Sequence, residues 1–200
     1  MAESVPGLAR SGSPAYPSTM AQQPTLETER LRLRPFAPSD APTVQLLAGA
    51  REIAATTINV PFPYRDGMAE AWIATHPDMW KNGTGMICAI DSKAEVRLIG
   101  ATGLRIEVAQ RRAELGYWIG RHWWGQGFAT EASRALVAWA FERLGLQRVF
   151  ARHFASNPAS GRVLEKIGMR REGQLRRHII KWGRFEDIVM YGVLADEFAP

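Results

Sequence analysis

Trp124-Gly125-Gln126-Gly127-Phe128-Ala129-Thr130-Glu131 is the stretch around which the rest of the chain is ordered. Before it, Ala113 to Ile119 reads as a strand. After it, Ala129, Ala132, Leu136, Val137, Ala140, Phe141 and Leu144 recur at helical spacing and stop at Gly145, a good residue for ending a helix. A glycine-bearing turn between a strand and a helix lets a ligand approach the backbone, and it presents unpaired N–H groups and the positive end of the helix dipole. Such a turn suits a phosphate; without a ligand it is simply a tight strand-to-helix connection. A P-loop is excluded, because Gly-Phe-Ala stands where Gly-Lys-Ser/Thr is needed. A dinucleotide fingerprint fails at Thr130, where a third small residue is required.

Working outward, residues Met1 to Pro24 hold four Pro, four Ser and two Gly with no apolar periodicity, so residues 1–24 read as a disordered tail and 25–198 as one domain. Met20 is an alternative start. Arg30 to Arg34 alternates charged and Leu residues as a half-buried strand does, and Pro38-Ser39-Asp40 opens a helix. A Pro- and aromatic-rich connection, Val60 to Tyr64, leads to a second helix near Asp66 to Trp80. Met86 to Ile90, Val96 to Ile106 and Ala113 to Ile119 form a strand meander. After the long helix come a strand at Val149 to Phe154, a helix at Pro158 to Ile167, and strands at Met169 to Ile180 and Phe185 to Leu194. The order β-α-α-β-β-β-α-β-α-β-β predicts an α/β (α+β) fold with a mixed sheet and helices on both faces, since the stretch Ala113 to Phe154 needs a parallel crossover.

The longest purely apolar run, Ala135 to Phe141, is about a third of what a membrane span needs. No secretory leader is legible, and a single Cys88 supports no internal disulfide framework, so a cytoplasmic location is expected. Net charge is +5, yet Arg143 to Arg184 holds eleven Lys or Arg against two Glu, a local +9 that leaves −4 for the remainder. Such a basic third is either a solvated surface or the footprint of a polyanion.

Four stretches together give a resemblance: Thr28 to Arg34, Glu114-Leu115-Gly116-Tyr117-Trp118-Ile119-Gly120, Trp123 to Glu131, and Asn157-Pro158-Ala159-Ser160-Gly161-Arg162 through Met169. From Glu27 to Leu194 the chain resembles the GNAT acetyltransferases, in particular the RimJ/RimL branch that acetylates N-terminal amines of ribosomal proteins. The resemblance implies the GNAT fold, a mostly antiparallel seven-stranded sheet, and acetyl-CoA as co-substrate with no metal. The family's pyrophosphate loop, Arg/Gln-x-x-Gly-x-Gly/Ala, falls on Trp124 to Ala129, with Trp124 departing from it. By the same resemblance Trp124, Gly125, Gln126, Gly127, Phe128, Ala129 and Thr130 hold the pyrophosphate. The strand from Glu114 splays from its neighbour, so that backbone at Trp118 and Ile119 pairs with the pantetheine arm. The resemblance adds Asn157 to the cofactor contacts, while Arg162 and Lys166 read either as partners of the nucleotide phosphates or as solvated helix charges.

Acetyl transfer to an amine needs a neutral nucleophile, a donor to the developing oxyanion and a proton for the thiolate. An α-amine with a pKa of about 8 is mostly protonated at neutral pH, so a base is useful. Strand alternation places Glu114, Gly116 and Trp118 on one face, where the resemblance implies a catalytic carboxylate. Glu114 is then the expected base, or else a solvated or ion-paired strand residue, with Glu107, Glu172 or a water chain held by backbone carbonyls in its place. Asn157 and Ser160 suit a helix start in any case. The resemblance adds a cofactor or catalytic-water contact for Asn157, and a bond from Ser160 to the departing sulfur, no Tyr being expected nearby. Phe62, Tyr64 and Trp182 are expected to border the acceptor. Cys88 reads as a core thiol, and His76, His122, His153 and His178 lack metal-ligand spacing.

The expected activity is transfer of acetyl to a primary amine, a protein N-terminus or a small molecule, in a ternary complex. The alternatives are a GNAT module that binds CoA without catalysis, and a basic nucleic-acid-binding protein. Expected partners are the acceptor, with a homodimer compatible, and neither membrane nor nucleic acid.

Overall fold

The computed structural model describes residues 22–199, so residues 1–21 of the expected tail, including Met20, lie outside the described residues. Gln23, on the tail side of the expected boundary, donates from Nε2 to Ile87 O at 2.9 Å and to Cys88 Sγ at 3.4 Å. The strands are β1 (Leu26–Glu27), β2 (Leu31–Pro35), β3 (Gly85–Ser92), β4 (Arg97–Glu107), β5 (Arg112–Ile119), β6 (Arg148–Phe154), β7 (Arg170–Lys181) and β8 (Arg184–Leu194). They form one sheet in the order β1-β2-β3-β4-β5-β6-β8-β7. The eighth strand, beyond the seven expected, is the two-residue β1, which pairs with β2 by folding back through Thr28 to Arg30. Every pairing is antiparallel except β5 with β6.

The helices are α1 (Ala41–Ala48), α2 (Arg51–Thr56), α3 (Met68–Ala74), α4 (His76–Lys81), α5 (Phe128–Leu144) and α6 (Pro158–Lys166). Four short helices therefore replace the two expected before β3. Gly49 and Ala50 interrupt the first, and Pro77, at the second position of α4, has no N–H to continue the helix from α3. No helix among the described residues is long and apolar enough to cross a membrane.

The helices cover both faces of the sheet. On one, Leu136, Val137, Ala140 and Leu144 of α5 pack on Leu33, Ile90, Leu104 and Leu115. On the other, Val44, Ala48, Ile53, Ala69 and Ile73 pack on Ala89, Ala101 and Trp118. Sandwiching explains why residues Leu98 to Leu104 of β4 are all buried instead of alternating. The β7–β8 hairpin is the exception: β7 is the sheet edge, and along it only Gly173, Ile179 and Lys181 are half-buried.

Glu131, in the first turn of α5, joins two of the sequence motifs. Its carboxylate accepts from Thr28 Oγ1 at 2.6 Å, from the Arg30 amide at 2.9 Å and from Arg30 Nε at 2.7 Å. Burial alone would push this carboxyl up, but the bonds from Thr28 and Arg30 together outweigh it and hold it below its ordinary 4.5. With the folded-state pKa below the unfolded one, the clamp's contribution is complete above about pH 4.5 and is lost as pH falls through the folded value. Glu131→Gln should cost about 1–2 kcal/mol at neutral pH, Arg30 being nearly half exposed, and should flatten the acid limb of stability; urea titrations between pH 3 and 7 would measure both.

Candidate active site

The site begins where β5 and β6 part. They pair from Arg112/Arg148 to Leu115/Ala151 and no further. Yet β5 continues beside β4 to Ile119, and β6 beside β8 to Phe154. The Gly120 amide donates to Ile99 O at 2.8 Å. Backbone groups facing one neighbour alternate along an antiparallel ladder, so Gly116 and Trp118 turn theirs to β4, while Tyr117 and Ile119 turn theirs to the open side. This corrects the expectation for Trp118, whose backbone belongs to the ladder, and retains Ile119. Its carbonyl, however, already accepts the Trp124 indole Nε1 at 2.6 Å.

A cleft of about 730 Å³ occupies the gap. Glu114, Gly116 and Trp118 line it from the α1–α3 face, as alternation requires, and a Cβ added to Gly116 would meet nothing within 4 Å. Glu114 Oε1 accepts from Arg152 Nε at 2.6 Å, so the expected base is one half of a partly buried ion pair across the last rung of the β5–β6 ladder. Glu107 and Glu172 are held by Arg112 and Arg148 and do not line the cleft.

Tyr117 turns to the opposite face, where its hydroxyl lies 2.7 Å from Ser160 Oγ and donates to Ser160 O at 3.2 Å. The expectation that no Tyr stands near Ser160 is therefore wrong. Tyr117 reads in sequence as one more strand aromatic, and only the packing of α6 on the parted strands brings the two together. Burial pushes the phenol up to about 12, the Ser160 contact opposing it in part, so Oη keeps its proton throughout the neutral range.

Asn157 caps α6, with Oδ1 accepting from the Ser160 amide at 3.3 Å, and Nδ2 donates to Thr56 O at 3.4 Å. It does not line the cleft itself, and the role the structure displays for it is that of a helix cap. Arg162 and Lys166 are exposed and also lie off the cleft; Arg162 instead borders a small hollow with Arg171 and Tyr191.

The glycine turn departs in detail from expectation. Gly125 and Gly127 sit at φ of 77° and 83°, a conformation only glycine adopts cheaply. Gly127 is the N-cap of the 17-residue α5 and offers no side chain to close it, which leaves the amides of Phe128, Ala129 and Thr130 outward. Those of Gly125, Gln126 and Gly127 have no protein acceptor among the described residues. The Trp124 amide does not join them, because it donates to Arg121 O at 3.2 Å inside the preceding turn. Arg30 steadies the loop, donating to Gln126 O at 3.0 Å and stacking 4.6 Å from the Phe128 ring centre.

Of the expected acceptor contacts, Tyr64 lines the cleft, while Phe62 and Trp182 meet each other outside it, their rings tilted by 58° with centres 5.8 Å apart. Burial pushes the Cys88 thiol up to about 12, the Gln23 bond opposing it only slightly, which fits a core thiol. No cluster of three or more His, Cys, Asp or Glu able to hold a metal occurs among the described residues. Tyr117→Phe keeps the ring and removes both bonds to Ser160; unfolding in urea should register a loss of about 0.5–1.5 kcal/mol.

Comparison with known proteins supplies the family. Residues 30–170 match the acetyltransferase (GNAT) domain. The uncharacterized N-acetyltransferase YoaA of Bacillus subtilis is 32% identical over 174 residues, covering 86% of this chain and 97% of that one. The putative ribosomal N-acetyltransferase YdaF, also of B. subtilis, is 33% identical over 68% of this chain and 71% of its own. In fold, RimL, a ribosomal L7/L12 α-N-protein acetyltransferase solved with coenzyme A, superposes with a TM-score of 0.78 at 19% identity, covering 85% of this chain and 97% of that one. The match spans the parted strands and the glycine turn alike, and it makes the chain an acyltransferase of the GNAT family, within the RimJ/RimL-like branch.

Proposed function

We propose that the chain moves an acetyl group from acetyl-CoA to the N-terminal amine of a polypeptide by direct attack in a ternary complex. The observation that carries this reading is the open edge of β5, which presents Glu114 on one face of the sheet and the Tyr117–Ser160 hydroxyl pair on the other. Bound acetyl-CoA supplies an acetyl thioester. The fit to it rests on the chain itself: the open amides from Gly125 to Thr130 suit a pyrophosphate, and the Tyr117 backbone groups with the Ile119 amide suit an amide-bearing arm added as a strand.

Glu114 takes the proton from the ammonium, directly or through a water, while Arg152 orients the carboxylate. Tyr117 holds a proton at Oη and Ser160 one at Oγ, and the bonded pair can pass one proton on to the departing thiolate while the other proton stays between the two oxygens. Gly116 leaves room for the acceptor between Glu114 and Trp118. A polypeptide acceptor is supported by exposed aromatics just outside the cleft, Phe62 at 43% and Trp182 at 46% exposure, and by the relationship to YdaF.

Two variants test the reading. Glu114→Gln should lower turnover at neutral pH by roughly 10²- to 10⁴-fold with little change in acetyl-CoA affinity, and should regain rate above the pKa of the amine. Gly116→Leu should fold normally, since its Cβ has open space, and abolish most turnover by filling the acceptor's place. Near-normal thiol release from either variant, assayed on a panel of peptide amines, would remove the assignment.

A further inference from the structure

Residues 57–64 run from the end of α2 along the cleft, and among the described residues they make no backbone–backbone hydrogen bond. Thr57, Ile58, Asn59, Val60, Pro61 and Tyr64 nevertheless form one wall of it. A wall of irregular chain needs something to hold its carbonyls. The partner comes from the far half of the sheet. Lys181, at the tip of the β7–β8 hairpin, donates from Nζ to Thr57 O at 3.0 Å, Ile58 O at 3.4 Å and Val60 O at 3.1 Å. An ammonium has three donors, and here all three find backbone carbonyls. Burial lowers the Lys181 pKa from its ordinary value.

The neighbouring residue reinforces the contact. Trp182 adopts a left-handed φ of 49° in the hairpin turn, which sets its ring against Phe62 and 5.3 Å from the Arg51 guanidinium of α2. The hairpin belongs to the β6–β8–β7 side of the gap, and the wall to the side of β4 and β5. Lys181 thus ties the two halves of the sheet together beyond the point where their strands have separated.

We propose that Lys181 is a positioning residue for the acceptor, fastening the hairpin tip to the Thr57–Val60 wall so that the wall keeps a fixed distance from Glu114 and Gly116. Lys181 does not line the cleft itself, and its side-chain bonds go to the wall and to neither the glycine turn nor β5. Its effect therefore falls on acceptor binding alone. The kinetic part of this inference rests on the acetyltransferase reading above; the fastening itself does not.

Lys181→Met retains the aliphatic stem and removes the donors. For a peptide acceptor its KM should rise at least tenfold, while the Kd for acetyl-CoA stays within twofold of the parent. Lys181→Arg, with charge and donors kept, should recover part of the lost acceptor affinity. NMR order parameters of the Ile58 and Asn59 amides should fall below about 0.6 in Lys181→Met while those of β4 and β5 hold, a readout that needs no acceptor. An acceptor KM within twofold of the parent, an equal loss of acetyl-CoA affinity, or unchanged order parameters overturns the inference. Parent protein that binds acetyl-CoA yet acetylates no amine removes the acetyltransferase reading instead, and the order parameters then decide on Lys181 alone.

Discussion

One rung of hydrogen bonding governs this molecule: β5 and β6 stop pairing after Leu115 and Ala151. Backbone amides and carbonyls rarely stay unpaired inside a protein, so a ladder that ends while both strands continue must hand its groups to something else. Here the strands diverge by leaning on different partners, β5 on β4 and β6 on β8. The gap joins the two faces of the sheet, so a carboxylate on one and a hydroxyl pair on the other can act on the same atoms. Adjacent positions such as 116 and 117 of a strand normally serve opposite sides of a protein. At this gap they serve one site.

The glycine turn is placed by the same arrangement. The Trp124 indole bonds to Ile119 O, which fastens the turn before α5 to the open edge of β5. The Glu131 clamp fixes the other end of this piece, tying α5 to the turn between β1 and β2. Two motifs about a hundred residues apart in the chain, Thr28 to Arg34 and Trp123 to Glu131, thus belong to one joint. The clamp also settles the charge of Glu131, which would otherwise oppose an anion at the helix start: Arg30 neutralises it on the spot.

Whatever depends on local periodicity was legible in the sequence: α5 and its glycine ends, the alternation that puts Glu114 with Trp118, and the Asn-Pro start of α6. Contacts between remote segments were not. Tyr117 and Ser160 are 43 residues apart, and nothing in either local pattern names the other. The same holds for Lys181, whose three acceptors lie more than 120 residues away. Trp118 was misassigned for a different reason. Alternation of side chains was read correctly, but which backbone groups face outward depends on register with β4, and register is set by the whole meander. Asn157 shows the reverse: its local role as a helix cap is the one the fold uses.

The sheet's last strand gives the basic third of the chain a meaning of its own. Arg170, Arg171, Arg176 and Arg177 stand exposed on β7, whose outer edge has no neighbour among the described residues, and the register slips between Arg171 and Gly173 and again between Leu175 and Ile179. An unpaired edge is a template for another strand, and long, flat, uncharged edges recruit one. A second copy laid alongside this one would meet like charges and a bent outline. The arginines thus work against strand-to-strand pairing along β7.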